Sequence, residues 1–475
     1  MPLPVISIAQ MREWEQSSWA AGRSEAEVIG CVGRLVAARA LRLTHPDERL
    51  LILAGKGHNG DDARAAIPHL ANRQVDLLNI TSPGKQLADA RSQLEKRPAL
   101  ILDGLFGVGL NRTLRPDWIA LIKAINESRR PILAIDTPSG LNADTGKPEG
   151  AAIQATITLT LAAPKRGLLA ASAMPFVGRL EVEREIGLIP SATESDQYWT
   201  CAEDFDGYPP PRALNSHKGS FGHLLLIAGS EGFHGAAVLA ARAAARSQPG
   251  LITVRTSEQT YLPVASQLQS AMVQSWRRGA ALPEKATGLV IGPGLADPAL
   301  AKDLKDEVKD LWCDFPHPVL ADASALDWLP PGPVQSKAPR MITPHPGEAA
   351  RVLRMDREAL LHDRRSALLA LSRQFGGCWV VLKGHQTIIG REGFPLFLNP
   401  SGNPFLAQGG SGDVLAGFLG GLMAQPALQN DPLLALRYGV WRHGLAADRL
   451  SEQGKHWVVE DLVQALAEGT RSEPG

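Results

Sequence analysis

The amino-acid sequence predicts an α/β chain of two domains, each built on a parallel sheet. At 475 residues the chain exceeds what one hydrophobic core spans, and two domains of roughly 200 to 270 residues are the natural division. Short apolar runs alternate with helical stretches, once on each side of a proline-rich break at 204–215. Glycine and proline are plentiful (46 and 35) while tyrosine and phenylalanine are scarce (4 and 11). That balance suits tight strand-to-helix turns better than an all-β chain. The expected division is a first domain over 1–205, a linker over 206–215 and a second domain over 216–475.

The first series opens with helical spacing over 11–45, beginning Met11-Arg12-Glu13-Trp14. Residues 50–54 form a short apolar run ending at a glycine, as a buried parallel strand does. A helix is expected over 63–72, then strands over 75–80, 99–102 and 132–135 with helical segments between them. Further strands are expected over 155–161 and 179–183. This alternation predicts a Rossmann-like doubly wound sheet with helices on both faces.

The second series repeats the logic. Strands are expected over 223–228, 251–255, 288–291, 319–321 and 378–383. Helices are expected over 236–247, 299–311 and 346–353, and another follows a glycine loop at 409.

Basic and acidic side chains number 49 each, so no basic footprint points to nucleic acid. The four cysteines, Cys31, Cys201, Cys313 and Cys378, lack Cys-x-x-Cys spacing. A zinc site or disulfide framework is not expected, and a reducing cytoplasm fits. The charged start, with Arg12, Glu13 and Glu15, does not read as a secretory leader. No membrane span is expected either.

The strongest chemical signal is Gly409-Gly410-Ser411-Gly412-Asp413, followed by an apolar helical run over 414–423. Glycines opening a helix present backbone N–H groups to a phosphate, and the helix dipole adds positive potential. Asp413, in the first turn, is placed to take a proton from a hydroxyl as phosphate is transferred to it.

This pattern resembles the ribokinase-like superfamily, and within it the NAD(P)H-hydrate dehydratases. Supporting segments run in family order: Ser216-His217-Lys218-Gly219, Gly235-Ala236-Ala237, Gly292-Pro293-Gly294, Asp322-Ala323-Ser324, Thr343-Pro344-His345-Pro346-Gly347-Glu348 and Val381-Leu382-Lys383-Gly384. The resemblance implies ADP-dependent dehydration of hydrated NADH or NADPH (ATP serving in eukaryotic members), with AMP and phosphate released. It assigns Asp413 as the base, also touching the hydrate. Lys383, Gly384, His385, Gln386 and Thr387 would line the nucleotide, with Gly409, Gly410, Ser411 and Gly412 at its phosphates. Ala237, Gly294 and His345 would contact the hydrate, and Mg²⁺ would bridge nucleotide oxygens. Ser324 stands where the family usually has an aspartate, and Gln248-Pro249 replaces a Gly-Ala pair.

In the first half, Gly55-Lys56-Gly57-His58-Asn59-Gly60-Asp61-Asp62-Ala63 follows a strand and opens a helix. Asp103 and Asp136 stand at later strand ends, followed by Gly107-Val108-Gly109 and Ser139-Gly140. Polar groups at the carboxyl ends of adjacent parallel strands define the site of such folds. Asn59, Asp103 and Ser139 offer hard oxygen ligands for a cation, leaving Asp136 as the acid/base group.

This half resembles the NAD(P)HX epimerase family. That resemblance implies K⁺ at Asn59, Asp103 and Ser139, and interconversion of R and S hydrates. Substrate would bind at His58, Asn59, Gly60, Asp61, Asp62, at Gly107, Val108, Gly109, Leu110, Asn111, Arg112, Thr113, and at Asp136. His58, Asp61 and Ala63 replace an asparagine and two glycines of the family motif. Glycine there is expected to permit positive φ or close ligand approach, and Asp61 to add charge beside the ligand. The whole resembles the bifunctional NAD(P)HX repair family, with small-molecule substrates only and a homo-oligomeric state expected. Two readings stay open beside it: a ribokinase-like small-molecule kinase, and a dehydratase whose front domain binds without catalysis.

Overall fold

The computed structural model describes residues 2–454 and 456–468. It separates into two compact units, Leu3–Asp196 and one running from Gln197 onward. The sequence set the division at 206–215. The strand Gln197–Trp199 already pairs in parallel with Leu396–Leu398 of the second unit's sheet, so these residues go with that unit.

In the first unit the strands are β1 (Arg49–Ala54), β2 (Gln74–Asn79), β3 (Leu100–Gly104), β4 (Ile132–Ile135), β5 (Ile157–Leu161) and β6 (Arg179–Glu183). All pair in parallel, in the order β2-β1-β3-β4-β5-β6. The helices are α1 (Ile8–Ala20), α2 (Glu25–Arg42), α3 (His58–Ala66), α4 (Pro83–Glu95) and α5 (Pro116–Glu127). Every residue of β3, β4 and β5 is buried, as expected of parallel strands covered on both faces. The order reverses between β1 and β3, where ligands bind in doubly wound sheets.

α3 starts five residues ahead of the expected 63. Its first turns, His-Asn-Gly-Asp-Asp, are poor helix formers, and packing overrides that preference. A Cβ at Gly60 would lie 2.1 Å from the Gly55 carbonyl oxygen, and one at Gly104 would lie 2.6 Å from the Ala63 methyl. Bare backbone at 60 and 104 therefore lets α3 sit against β1 and β3.

The second unit holds β7 (Gln197–Trp199), β8 (His223–Ile227), β9 (Leu251–Thr256), β10 (Met272–Ser275), β11 (Gly288–Ile291), β12 (Val319–Ala321), β13 (Arg340–Ile342), β14 (Trp379–Leu382), β15 (Ile388–Gly390) and β16 (Leu396–Leu398). Within the unit their order is β10-β9-β8-β11-β12-β13-β14-β15-β16-β7. Pairing is parallel from β10 to β14, and β15 is antiparallel to both neighbours. Sequence reading missed β7, with three residues, and also β10, β13, β15 and β16. The last three are only three residues long, too short to show a period.

The longer helices of the unit are α6 (His234–Arg246), α7 (Lys302–Asp314), α8 (Pro346–Leu353), α9 (Arg364–Gln374), α10 (Ser411–Met423), α11 (Pro432–Glu452) and α12 (Val459–Ala465). α10 is buried at every position from Val414 to Met423. Its approach to α6 depends on missing side chains. A Cβ at Gly417 would meet the Ala240 carbonyl at 2.0 Å, and one at Gly421 the Ser247 hydroxyl at 2.1 Å. Among the described residues no helix is long and apolar enough to cross a membrane.

Candidate active sites

In the second unit the glycine loop forms the start of α10 as the sequence predicts. Gly410 caps the helix at φ +94°, and a Cβ there would lie 2.6 Å from Leu239 Cδ1. Only glycine meets both demands. Gly410→Ala is expected to cost roughly 1–2 kcal/mol of backbone strain and to displace Leu239. Steady-state kinetics and a thermal melt should show nucleotide turnover falling more than stability; unchanged turnover would separate the loop's shape from its function.

Lys383 follows β14, and its amine lies 3.4 Å from where a Cβ at Gly412 would be. The cation therefore borders the anion hole. Its Nζ donates to Asp322 Oδ1 at 2.8 Å and lies 3.9 Å from Glu348 Oε2. Burial alone would lower the Lys383 pKa, but Asp322 and Glu348 outweigh it and raise the pKa. The amine stays charged. Thr343 Oγ1 donates to the same Asp322 oxygen at 2.7 Å. Burial, reinforced by Asp322 and opposed by Lys383, raises the Asp413 carboxyl to about 7.

The loop after Lys383 is pinned by Arg364, which donates to the carbonyls of His385, Gln386 and Leu382. Thr387 Oγ1 donates to the Gly384 carbonyl at 3.1 Å. Gly384 and Gln386 both take positive φ, +135° and +51°. His345 caps α8: its Nδ1 accepts from the Gly347 and Glu348 amides at 3.0 and 3.2 Å, and Glu348 returns a bond to the His345 amide. The ring's Nε2 edge stays half-exposed, 3.5 Å from Glu348 Oε1. Lys383, Glu348 and Asp322 all act on His345 electrostatically, which gathers them at one site. Gly294, at φ +65°, packs its backbone against Ala236 and Phe233. Ala237 has no exposed surface and lies behind Gly229.

Sequence reasoning missed His443. It is buried on α11 with Nε2 3.0 Å from the Ser411 carbonyl, so the neutral ring holds the anion-hole peptide. Burial lowers its pKa to about 4. No motif marks it.

In the first unit a cavity of about 1070 Å³ opens at the carboxyl ends of β1 and β3. His58, Asn59, Asp62, Asp136 and the whole stretch from Gly107 to Thr113 line it. Gly60 and Asp61 do not. Asp61 is helical rather than at positive φ and pairs with Arg64 at 2.7 Å. α3 turns that carboxylate out of the cavity lining and toward Arg64, although its charge still reaches Asp62. His58 is exposed and meets Glu25 at 2.9 Å. The departures at 58, 61 and 63 leave the backbone unstrained.

Asp103 and Ser139 are fully buried. Asp103 accepts the Ser139 amide at 2.8 Å and its hydroxyl at 2.6 Å. Ser139 Oγ in turn accepts the Phe106 amide at 2.8 Å, and Asn59 Nδ2 donates to the Phe106 carbonyl at 2.9 Å. The predicted cation ligands thus meet around one backbone segment. Their oxygens are hard donors, and no lysine or arginine is bonded to Asp103 among the described residues. Burial raises its carboxyl to about 6. A buried carboxylate with no cationic partner fits a bound monovalent cation. Among the described residues no three His, Cys, Asp or Glu side chains form a metal-binding group.

Asp136 takes φ +63° after β4, a conformation aspartate tolerates. Its Oδ1 accepts from Lys165 Nζ at 2.5 Å, the Leu161 amide at 3.1 Å and Thr160 Oγ1 at 3.2 Å. Lys165, which sequence reading missed, has no exposed surface and also donates to the Leu161 carbonyl at 2.7 Å. In the sequence it stands beside Arg166, so nothing there marks it as buried.

Comparison with known proteins agrees with this geometry. A model of the NAD(P)H-hydrate dehydratase family matches residues 224–468, and one described as the YjeF-related protein N-terminus matches 78–167. The bifunctional NAD(P)H-hydrate repair enzyme Nnr of Coxiella burnetii is 36% identical, over 94% of this chain and 94% of its own length. The chain belongs to the bifunctional NAD(P)H-hydrate repair family. The Escherichia coli member is 33% identical, over 90% of this chain and 87% of its own. A ribokinase-like superfamily protein from Enterococcus faecalis is 26% identical with a TM-score of 0.50, covering 59% of this chain and 97% of that one. The second unit is ribokinase-like, as the glycine loop suggested, and the first is the family's epimerase-related domain.

Proposed function

We propose that the second unit dehydrates the S form of NAD(P)HX with ADP, and that the first unit epimerises R and S forms using bound K⁺. The observation that carries the first part is Asp413 beside the anion hole at Gly410–Gly412, with the Lys383 cation at its edge. Amides of the loop hold the β-phosphoryl group of ADP, and Lys383 offsets its charge. Asp413 takes the proton of the hydrate's hydroxyl as its oxygen forms the new P–O bond and AMP leaves. Phosphate then departs with the C–O electron pair, and loss of a proton from the adjacent ring carbon restores the double bond.

Mg²⁺ would be held chiefly by the nucleotide and would supply charge neutralisation on the phosphates. K⁺ would be held by Asn59, Asp103 and Ser139, where it offsets the buried Asp103 charge. The scattered free cysteines support a reducing, cytoplasmic setting.

A mixed-epimer hydrate given ADP or ATP tests the whole reading. NADH absorbance should return to completion with stoichiometric free phosphate, faster with ADP. A stable phosphorylated product would make the protein a small-molecule kinase. Recovery that stalls once the S form is consumed would make the first unit a binding module.

A further inference from the structure

One acidic group in the first unit's cavity has no structural employment. Asp62 is only 7% exposed and lines the cavity. Its carboxyl has no hydrogen bond or ion pair, unlike Asp61, Asp103 and Asp136 nearby. Asp61 holds Arg64, Asp136 holds Lys165 and Asp103 holds Ser139. Nor does it cap a helix. Gly57 is the N-cap of α3 and no side chain caps it, so Asp62 lies beyond the first turn, where the dipole's benefit has faded. A carboxyl that faces a cavity without a partner in the fold is free to pair with a ligand there.

The surroundings also set its protonation. Burial, then the charges of Asp136, Asp61 and Glu15, raise the Asp62 carboxyl to about 8. It therefore carries a proton at neutral pH, whereas Asp136 accepts a hydrogen bond from Lys165 Nζ. Two carboxyl groups of one cavity, one paired with a lysine and one without a partner, are placed to divide the acid and base roles.

We propose that Asp62 is the general acid of epimerisation, protonating the departing hydroxyl of the hydrate while Asp136 serves as base. The proposal rests on the epimerase reading of the first unit. Water added to a dihydronicotinamide puts its hydroxyl on the carbon bonded to the ring nitrogen, because the nitrogen lone pair stabilises a cation there. Asp62 gives its proton to that oxygen, and the C–O bond breaks with its electron pair going to the departing water. The nitrogen lone pair forms C=N⁺, which makes the carbon planar. Water adds to the other face through an oxygen lone pair, the C=N⁺ pair returns to nitrogen, and the surplus proton passes to Asp136. Exchange with solvent through the cavity mouth returns a proton to Asp62 and removes one from Asp136.

The test uses the full chain with Asp62→Asn, which preserves shape and removes the acid. The wild type should epimerise the R hydrate and exchange its hydroxyl oxygen with H₂¹⁸O at a matching rate. Asp62→Asn should lose about 10²-fold or more in kcat, with KM for the hydrate changed by no more than about threefold, and should lose ¹⁸O exchange in proportion. Its dehydration of the S hydrate should equal the wild type, which shows that the second unit is folded, and an unchanged thermal melt of the full chain checks the first. A fully active Asp62→Asn, or wild-type epimerisation without ¹⁸O exchange, overturns the role of Asp62 alone. A wild type no faster than spontaneous epimerisation removes the epimerase reading, and this role with it.

Discussion

Asp413→Asn is expected to reduce dehydration by about 10³-fold, within the usual range for removing a general base, while the KM for ADP moves little. The substitution keeps the shape at the first turn of α10 and leaves the amides of Gly410–Gly412 in place. Nucleotide should therefore still bind. What is lost is an acceptor for the hydroxyl proton.

The same group predicts the pH profile. Burial and Asp322 raise the Asp413 carboxyl, Lys383 and its cation oppose them, and the balance settles at about 7. A raised pKa means that the base is protonated, and idle, over more of the acidic range. The kcat/KM of dehydration should fall about tenfold per pH unit below 7 and level off above it. Lys383→Met removes the opposing charge, so that limb should move to higher pH. A limb that stays in place in Lys383→Met, or an Asp413→Asn enzyme with near-wild-type turnover, would assign the proton transfer to another group.

How much of this site was legible follows from where its parts lie. The loop 409–413 and Lys383 announce themselves because glycine clusters and a lysine after a buried strand have local causes. Asp322, Thr343 and Glu348 come from β12, β13 and α8. Each looks ordinary alone, and only the sheet order brings them to one amine. His443 sits 32 residues from its partner Ser411, with no spacing that could reveal it. In the first unit the glycine motif read correctly as a strand-to-helix turn, but its geometry did not. Asp61 was expected to intrude on the ligand because a linear motif does not show which side of a helix a residue occupies. Once α3 begins at His58, positions 59 and 62 face the cavity and position 61 faces Arg64.

Lys165→Met should show the largest stability effect in the first unit, about 3–5 kcal/mol, the usual cost of stripping one partner from a buried ion pair. Lys165 has no exposed surface, and its ammonium divides its donors among Asp136, Thr160 and the Leu161 carbonyl. Without it, the Asp136 carboxylate keeps only the Thr160 hydroxyl and the Leu161 amide, which leaves a buried charge uncompensated.

Asparagine at 136 supplies the control. It removes the charge yet tolerates the left-handed backbone that Asp136 adopts, so it does not mix strain with electrostatics. The double variant Asp136→Asn, Lys165→Met should therefore recover much of the lost stability while remaining inactive in epimerisation. Denaturant melts of all four proteins close the cycle, with dehydration of the S hydrate as the check on the second unit. Additive losses would mean that the ion pair carries no coupling. In that case Lys165 would serve as packing beside β5 rather than as the charge partner of Asp136.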